Sequence, residues 1–444
     1  MTSTTKILED SRVVVPPSPP LLKLSALDAT WLIVPLIQRV VLFVDNGDGD
    51  HPPFASMVAS LRASLALTLA RFPPLAGRIV FLPSTGDVAI DCSDGSGVRF
   101  VVADCQGADA ASLAGGADHD VAAFKLLVPE LETNALPAEA LAVQVTRLKG
   151  GVAVGVAMHH AVVDGRSVWT FLEAWAAACR GDTAAADGAV PEFDRAVVKV
   201  PGGEELVRST LRKYAPDLPL VTKFPVAPGL PRRTFTMTAQ HIRRQKQRID
   251  DLTGSSATTP STFVTVAALA WVSFVRSKHP IVISIDHDVY LSFFVDCRGR
   301  RCGGIDPPIS EDYFGTCLSG CLARATARDL LAEDNGVAAA AAAIQKEVRR
   351  AGEDPLALWD WMAYVRTLPR DRAMNVSGST RFQAYETTDF GWGQSSRTEL
   401  VTMNRSGQVV LVAAKGGGGG VQTSVCMHPD HMDGFSSHFV KFLD

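Results

Sequence analysis

The chain has 444 residues, 47% of them hydrophobic and 20% charged, which suggests a globular protein of two or three domain-sized units. Its formal net charge of −4 gives no electrostatic reason to bind nucleic acid. No apolar run approaches the ~20 residues of a membrane span, no secretion signal begins the chain and its cysteines form no C-x-x-C pair, so we expect a cytoplasmic protein without disulfides or metal.

The first third of the chain predicts one long helix and several strands. Apolar residues recur every three or four positions over 54–72, which is the spacing of an amphipathic helix. Upstream, residues 31–44 predict a strand interrupted by a proline. Downstream, alternation over 142–148 and the turn 149–151 predict a hairpin, whose second strand over 151–157 is apolar throughout and so buried on both faces.

The most informative stretch follows that second strand. The segment Met158 to Gly165 reads M-H-H-A-V-V-D-G, and Ser167 beyond it can cap a helix whose apolar residues have helical spacing. An unperturbed histidine has a pKa of about 6.5, so one of these histidines is a candidate general base. Asp164 would then orient the imidazole or hold the loop. The competing interpretation is two ordinary core histidines and a helix-capping aspartate.

The second half of the chain begins after a change in composition. Residues 181–203 are mainly Ala, Asp, Gly and Pro, and we interpret them as a linker between two halves. Ser261 opens a second clear helix, strands are predicted at 281–285 and 290–295, and an alanine-rich helix at 336–350. Strands and helices mix without a regular βαβ alternation, which predicts a mixed α/β (α+β) fold.

A second motif, Asp389-Phe390-Gly391-Trp392-Gly393, indicates a tight bend anchored by an aromatic ring. Together with H-x-x-x-D-G, this D-F-G-W-G sequence resembles the paired signature of the BAHD acyl-CoA-dependent acyltransferases of plants. Further segments resemble landmarks of that family, in the family's order. They are L-S-A-L-D at 24–28, F-P-P-L-A-G-R at 72–78, V-D-C-R-G-R at 295–300 and Y-F-G-T-C at 313–317.

Other interpretations of the first motif remain open. The octapeptide alone equally resembles the condensation domains of nonribosomal peptide synthesis and, more distantly, chloramphenicol acetyltransferase. Condensation domains lack D-F-G-W-G, which counts against that assignment. A non-catalytic homologue that acts as a binding partner is a further alternative, and the intact His160 and Asp164 argue against it.

The resemblance implies an architecture. It predicts two chloramphenicol-acetyltransferase-like domains of mixed α/β structure, joined by a crossover loop and separated by a central solvent channel. We place the N-terminal domain with H-x-x-x-D at 1–180, the crossover linker at 181–215 and the C-terminal domain with D-F-G-W-G at 216–444.

The resemblance also implies the roles of site residues. His160 would deprotonate the acceptor in the channel, and the acceptor would attack the thioester of acyl-CoA. Asp164 would point away from the substrate and pair with an arginine, for which Arg298 is our candidate. Asp389 is sometimes counted with the catalytic histidine, although the rest of its motif, residues 390–393, is structural.

The helix start at Ser261 and Thr262 resembles the family segment that contacts the CoA arm. Free backbone N–H groups at a helix start, with two hydroxyl groups beside them, suit a phosphate or pantetheine group. Plain N-capping is the alternative interpretation of the same two residues.

Within the family, Y-F-G-x-C and S-G-S-x-R-F (377–382) resemble the clade that acylates flavonoid, anthocyanin and other phenolic glycosides, often from malonyl-CoA. This chain has Thr316 where the clade has asparagine, and Gln394-Ser395 where Arg-Pro commonly follows D-F-G-W-G. A malonyl donor needs a cation near its free carboxylate, and the sequence does not single out one arginine or lysine for this role.

We therefore expect an enzyme that transfers an acyl group, malonyl first, from acyl-CoA to a hydroxyl of a phenolic or flavonoid glycoside. The alternative is a hydroxycinnamoyl-CoA-dependent O- or N-acyltransferase with a phenolic or amine acceptor. Acyl-CoA would be a co-substrate, with no bound cofactor or metal. The partners would be small molecules only, with no nucleic acid and no membrane, and the protein would be a monomer.

Overall fold

The fold is seen in a computed structural model of the chain. It describes residues 4–18, 21–45, 47, 51–93, 95–182, 190–200, 202–225, 227, 229–254, 259–300, 307–354 and 356–443. Its strands are β1 Lys6–Val13, β2 Leu21–Lys23, β3 Ile37–Val44, β4 Arg78–Leu82, β5 Asp87–Asp91, β6 Val98–Asp109, β7 Ala138–Glu139, β8 Leu141–Lys149, β9 Gly151–Met158, β10 Arg232–Met237, β11 Asp288–Asp296, β12 Leu318–Thr326, β13 Ala373–Gly378, β14 Arg397–Leu400, β15 Gln408–Ala413 and β16 Val421–Cys426.

Helices alternate irregularly with these strands, which makes the architecture mixed α/β as predicted. The helices are α1 Ala26–Ala29, α2 Phe54–Arg71, α3 Pro73–Ala76, α4 Ala110–Gly115, α5 Val121–Lys125, α6 Gly165–Arg180, α7 Gly203–Tyr214, α8 Ala239–Thr253, α9 Thr262–Lys278, α10 Ala327–Leu331, α11 Gly336–Glu353, α12 Trp361–Val365 and α13 Pro429–Val440. Within the described ranges, no helix is both long and apolar enough to cross a bilayer.

The first of two large sheets holds the strand that leads to the histidine motif. Its order is β1-β6-β8-β9-β3-β14, and β9 lies between β8 and β3 with antiparallel pairing to both. Helices α2 and α6 pack against each other beside it. The predicted amphipathic pattern of α2 buries Leu61, Leu65 and Leu69 completely, which explains why this segment is helical.

The second large sheet is built from the second half of the chain, in the order β10-β16-β15-β13-β11-β12. Helix α9 packs against α13 and α11 at the centre of this half. Most residues of α9 are buried, including Trp271 and Phe274, as expected for a helix that is apolar around its whole circumference.

The second half of the chain contributes one strand to the first sheet. Strand β14 follows the D-F-G-W-G segment and pairs antiparallel with β3, so it closes the edge of the first sheet. Phe390 packs edge-on against Trp175 of α6, with ring centroids 5.1 Å apart, and Trp392 packs against Phe43 of β3 at 5.2 Å. The D-F-G-W-G bend therefore anchors a segment of the second half on the core of the first.

One predicted strand is wrong in part and another is wrong entirely. Residues 31–33 of the predicted strand 31–44 belong to a short 3₁₀ helix, Thr30–Ile33, that continues from α1, and the strand begins only at Ile37. The physical reason lies upstream, since Ser25 and Asp28 form a capping box that starts a helical turn.

The strand predicted at 281–285 is also wrong, because this segment consists of turns. The Val282 N–H donates to the Lys278 carbonyl at 2.8 Å, and the strand begins later, at Asp288. Its apolar residues do not share one environment, since Ile281 is 89% exposed whereas Ile283 is fully buried.

Strand β9 packs so closely that we expect Gly155→Ala to destabilise the protein. A Cβ atom at this position would lie 1.9 Å from the Leu127 carbonyl oxygen, which is backbone and cannot swing away. We expect a loss of roughly 1–3 kcal/mol, measured as a lower melting temperature. Gly352→Ala, in helix α11 with no atom within 4 Å, is the control and should be neutral or stabilising. Equal melting temperatures for the two variants would contradict this prediction.

Candidate active site

A cavity of about 1450 Å³ is lined by residues of both halves of the chain. His160 lines it from the first half, and Ser261 and Thr262 line it from the start of α9. Asp164, Arg298 and Asp389 are not among its lining residues. Of the residues predicted for the site, the structure therefore brings together the histidine and the start of α9 around one cavity.

The loop that carries His160 is held by hydrogen bonds on both sides. The His159 N–H donates to the Ala140 carbonyl at 2.9 Å, and the Val162 N–H donates to the His159 carbonyl at 2.9 Å. From the second half, the Thr316 hydroxyl donates to the His160 carbonyl at 2.7 Å. The main chain on which the imidazole is mounted is thus set from both halves of the protein.

An aromatic ring sets the orientation of the His160 imidazole. The Trp31 indole stacks on it, with ring centroids 3.9 Å apart and planes inclined by 20°. Trp31 is itself packed against Phe294 and Trp361, at centroid distances of 5.1 and 4.9 Å. The sequence did not indicate this contact, because Trp31 lies in a segment predicted as ordinary strand.

The two histidines of the motif differ in environment. His160 is half-buried, and burial lowers its pKa to about 4, although its own backbone and Asp164 oppose that shift. His159 is almost fully buried, its Nδ1 accepts the Ala161 N–H at 3.2 Å, and burial lowers its pKa well below the usual value. Both rings are neutral at pH 7, and only His160 borders the cavity within the described structure.

Asp164 is the N-cap of α6, so the predicted cap at Ser167 is wrong. One carboxylate oxygen accepts the Ser167 N–H at 2.9 Å, which satisfies a free donor of the first helical turn. The other oxygen accepts from Arg298 Nη2 at 2.9 Å and from the Cys317 N–H at 3.0 Å. Burial would raise the pKa of Asp164, but Arg298 and the backbone donors hold it below its usual value.

Arg298 is enclosed by acceptors. Its Nε donates to the Tyr313 carbonyl at 2.7 Å, Nη1 to Asp296 at 2.8 Å and Nη2 to the Gly315 carbonyl at 2.8 Å, besides the bond to Asp164. Burial opposes its charge, yet Asp164 and Asp296 raise the pKa of Arg298 above its usual value. The ion pair implied by the family resemblance is therefore present, and it joins the histidine loop to the Y-F-G-T-C segment.

A second buried ion pair supports the same loop. Arg195 Nη2 donates to the Val162 carbonyl at 3.0 Å, and its Nε lies 3.4 Å from a carboxylate oxygen of Asp28. The other Asp28 oxygen accepts the Thr316 N–H at 3.2 Å. The sequence analysis missed Arg195 because this residue lies in the segment interpreted as a linker. The only sequence feature that pointed to Asp28 was its position in the L-S-A-L-D segment.

Asp389 has a local structural contact. One carboxylate oxygen accepts the Gly391 N–H at 2.7 Å, and its backbone carbonyl accepts from Arg180. Gly391 and Gly393 have φ values of +98° and +83°, in the region that favours glycine. The structure thus places D-F-G-W-G as a bend on the first sheet and does not bring Asp389 to the cavity that His160 lines.

The wall of the cavity carries more positive than negative side chains. Ser261 contributes to this wall and also caps α9, since its hydroxyl accepts the Val264 N–H at 3.2 Å. Among the described residues the cationic lining side chains are Arg39, Arg166, Lys278, Arg300, Arg370, Arg381 and Arg405, and the acidic ones are Asp296, Glu311, Asp371 and Asp430. Across the part of the chain that the structure describes, no group of three or more His, Cys, Asp or Glu side chains could hold a metal ion.

Comparisons with known proteins agree with this architecture. The profile of the Transferase family matches residues 7–442. Malonyl-CoA:anthocyanidin 5-O-glucoside-6''-O-malonyltransferase of Arabidopsis thaliana is 29% identical over 98% of both chains. Phenolic glucoside malonyltransferase 1 of the same plant is 27% identical over 98% of this chain and 96% of its own.

Among solved structures, vinorine synthase superposes with a TM-score of 0.74 at 22% identity, covering 99% of both chains. This likeness confirms the predicted mixed α/β, chloramphenicol-acetyltransferase-like fold. The match to the family profile extends over almost the whole chain, well beyond the two short motifs. The chain therefore belongs to the transferase family of BAHD acyl-CoA-dependent acyltransferases, as its paired H-x-x-x-D-G and D-F-G-W-G motifs predicted.

Proposed function

We propose that this enzyme transfers a malonyl group from malonyl-CoA to a hydroxyl group of a phenolic or flavonoid glycoside, with His160 as the general base. The observation that carries the chemistry is the neutral His160 ring on the wall of a cavity lined by both halves of the chain. The donor and the acceptor class rest on the relatives, two of which are malonyltransferases of an anthocyanidin glucoside and of phenolic glucosides.

The reaction follows from the placement of the imidazole. Its Nδ1 is buried without a hydrogen-bond partner in the described structure, which leaves Nε2 for the substrate. Nε2 takes the proton of the acceptor hydroxyl while the oxygen attacks the thioester carbon. The tetrahedral oxyanion then collapses and the C–S bond breaks. The departing CoA thiolate takes the proton from the imidazolium, which restores neutral His160.

In this proposal Asp164 and Arg298 are positioning residues. The Asp164 carboxylate accepts from Ser167, Arg298 and Cys317, and no hydrogen bond joins it to the imidazole in the described structure. It therefore holds the loop and the start of α6 without moving a proton. The buried negative charge also favours the imidazolium that forms during the reaction, since Asp164 raises the pKa of His160 against the effect of burial.

The composition of the cavity wall favours an anionic donor. CoA carries phosphate groups and a malonyl group adds a carboxylate, so positive side chains around the cavity stabilise both. The start of α9 offers backbone N–H groups beside the Ser261 and Thr262 hydroxyls, an arrangement that suits a phosphate or the pantetheine arm. An amine acceptor that is cationic before the reaction would be repelled by the excess of positive side chains on the cavity wall.

The test is thiol release by the purified enzyme from malonyl-CoA, acetyl-CoA and coumaroyl-CoA, each with a phenolic glucoside and with agmatine, and identification of the product by mass spectrometry. We expect release that needs both malonyl-CoA and the glucoside, and a product heavier by one malonyl group. Preference for coumaroyl-CoA with agmatine would overturn the proposed substrates while leaving the acyltransferase chemistry in place.

We also propose that the enzyme acts as a cytoplasmic monomer. His160, the Trp31 ring stacked on it and the Asp164–Arg298 pair come from one chain, so the site is complete in a single copy. Size-exclusion chromatography with light scattering should give a species near the chain mass of 47.4 kDa. An enzyme that elutes as a dimer and loses its activity when the dimer dissociates would contradict this expectation.

A further inference from the structure

One buried arginine on the cavity wall donates no hydrogen bond to any residue that the structure describes. The described structure buries Arg39, Arg195, Arg232, Arg298 and Arg397. The last four donate hydrogen bonds to carbonyl or carboxylate oxygens. Arg39 is only 4% exposed, its Nε is buried without a partner, and no described oxygen accepts a hydrogen bond from its guanidinium group.

The contacts that Arg39 does make leave its donors unused. Its guanidinium carbon lies 4.6 Å from the centroid of the Trp169 ring, a cation–π contact that covers one face of the planar group. The five N–H donors lie in the plane and remain free for an acceptor. Glu399 attracts this charge, but it lies opposite Val40 and therefore points to the other face of the sheet from Arg39. There it pairs with His119 at 2.8 Å, Arg397 at 3.4 Å and Arg232 at 3.6 Å.

An unpaired buried charge is costly, so its presence calls for an explanation. Taking a cation out of water without a partner costs several kcal/mol, and proteins normally supply an anion to compensate. Burial lowers the pKa of Arg39 to about 10, which still leaves it cationic at pH 7. Because Arg39 borders the cavity, the compensating anion can be a group of the substrate.

Arg39 lies on β3, His160 follows the neighbouring strand β9, and both residues line the cavity. Ile37 of β3 pairs with Met158 of β9. Because β3 and β9 run antiparallel, Arg39 itself pairs with Val156, four residues before His160. Both side chains line one cavity, so an anion bound by Arg39 and the carbon attacked beside His160 can belong to the same donor molecule.

We propose that Arg39 binds the free carboxylate of the malonyl donor and so selects a dicarboxylic acyl-CoA over a neutral one, an inference that rests on the proposed function. A guanidinium group forms two parallel N–H···O bonds to a carboxylate, which fixes both position and direction. In malonyl-CoA only one methylene separates this carboxylate from the thioester carbon. Binding it at Arg39 places that carbon for attack beside His160.

The first test compares the kcat/KM ratio of malonyl-CoA to acetyl-CoA, at one acceptor, in the wild-type enzyme and in Arg39→Gln. We expect the ratio to fall about 10–100-fold, the effect of losing a charge-assisted hydrogen bond. Arg39→Lys should lie between the two, because it keeps the charge without the paired donors. Arg381→Gln removes another arginine of the cavity wall and should leave the ratio as it is.

Each other outcome overturns the inference. An unchanged ratio in Arg39→Gln means that Arg39 does not bind the carboxylate. If kcat/KM falls equally with malonyl-CoA and with acetyl-CoA, Arg39 binds a CoA phosphate or the acceptor instead. A ratio that falls in Arg381→Gln and not in Arg39→Gln moves the carboxylate site to Arg381.

The second test separates this inference from the proposed function. In His160→Ala, which should not turn over, malonyl-CoA should raise the melting temperature more than acetyl-CoA, and adding Arg39→Gln should abolish the difference. Failure of the wild-type enzyme to release thiol would refute the proposed function alone, since the binding preference is measured independently. A preference that survives Arg39→Gln would refute the role of Arg39 alone. Should the glutamine variant not fold, Arg39→Lys and Arg39→Met take its place in the same comparison.

Discussion

Replacing His160 by alanine should lower kcat/KM for acyl transfer by about 10²–10⁴-fold, the usual contribution of a positioned general base. Of the two motif histidines, His160 is the one that borders the cavity in the described structure. Burial keeps its imidazole in the unprotonated form that a base requires. Thiol release at saturating acceptor measures the loss. His431→Ala removes another imidazole from the same cavity wall and should keep most of the activity. Release that persists in His160→Ala would disprove the assigned role.

The pH dependence follows from the same environment. Because the pKa of His160 is lowered to about 4 from an ordinary value of about 6.5, the acid limb of kcat/KM should lie below about pH 5. Between these two values the unfolded chain binds a proton on this histidine and the folded chain does not, so the free energy of unfolding rises with pH across that window. An acid limb centred near pH 6.5 would show that the ring is solvated, and would contradict this account.

The local parts of the site were predictable because they are written in contiguous residues. The apolar strand before His160, the helix after Asp164 and the bend at residues 389–393 each follow from periodicity, capping chemistry or glycine. The Asp164–Arg298 pair was predicted only through the family resemblance, since 134 residues separate its members. Periodicity and capping describe residues that are close in the chain, so they do not predict that two segments this far apart come into contact.

The parts that were missed all depend on long-range packing. Trp31 stacks on His160, and Arg195 holds the Val162 carbonyl, across gaps that no sequence period spans. Strand β14 pairs with β3 although the two are far apart in the chain, and this pairing is decided by where the aromatic side chains of D-F-G-W-G are buried. Arg39 lies in a predicted strand, where an isolated arginine gave no sign that it would be buried without a partner.

Removing Arg298 should destabilise the protein by about 3–5 kcal/mol, because an uncompensated charge would remain buried. Arg298→Ala would leave the Asp164 carboxylate without its cation and the Tyr313 and Gly315 carbonyls without a donor. Chemical denaturation monitored by fluorescence measures the change. Arg166→Ala breaks pairs with Asp296 and Glu311 whose side chains are partly exposed, and it should cost less than about 1 kcal/mol.

Two further variants separate the charge of this pair from its geometry. Asp164→Asn keeps the shape and removes the charge, and it should lower both the melting temperature and kcat, since Arg298 would lose its buried counterion and keep only the partly exposed Asp296. Adding Arg298→Met removes both charges together and should restore part of the stability, because the leftover cation is gone. Activity should stay low in the double variant, since the histidine loop would lose the link to Y-F-G-T-C that runs through Arg298. Full stability and full activity in Asp164→Asn would show that the pair does not hold the loop.

The pH dependence of stability offers an independent check on the same pair. The pKa of Asp164 is lower in the folded protein than in the unfolded chain, so its contribution is complete above the unfolded value of about 3.9. That contribution is lost as the pH falls through the lower, folded pKa, and Asp164→Asn should lose this part of the acid dependence. The single carboxylate that caps α6 and anchors Arg298 would then account for both the rigidity of the histidine loop and a share of the acid sensitivity of the fold.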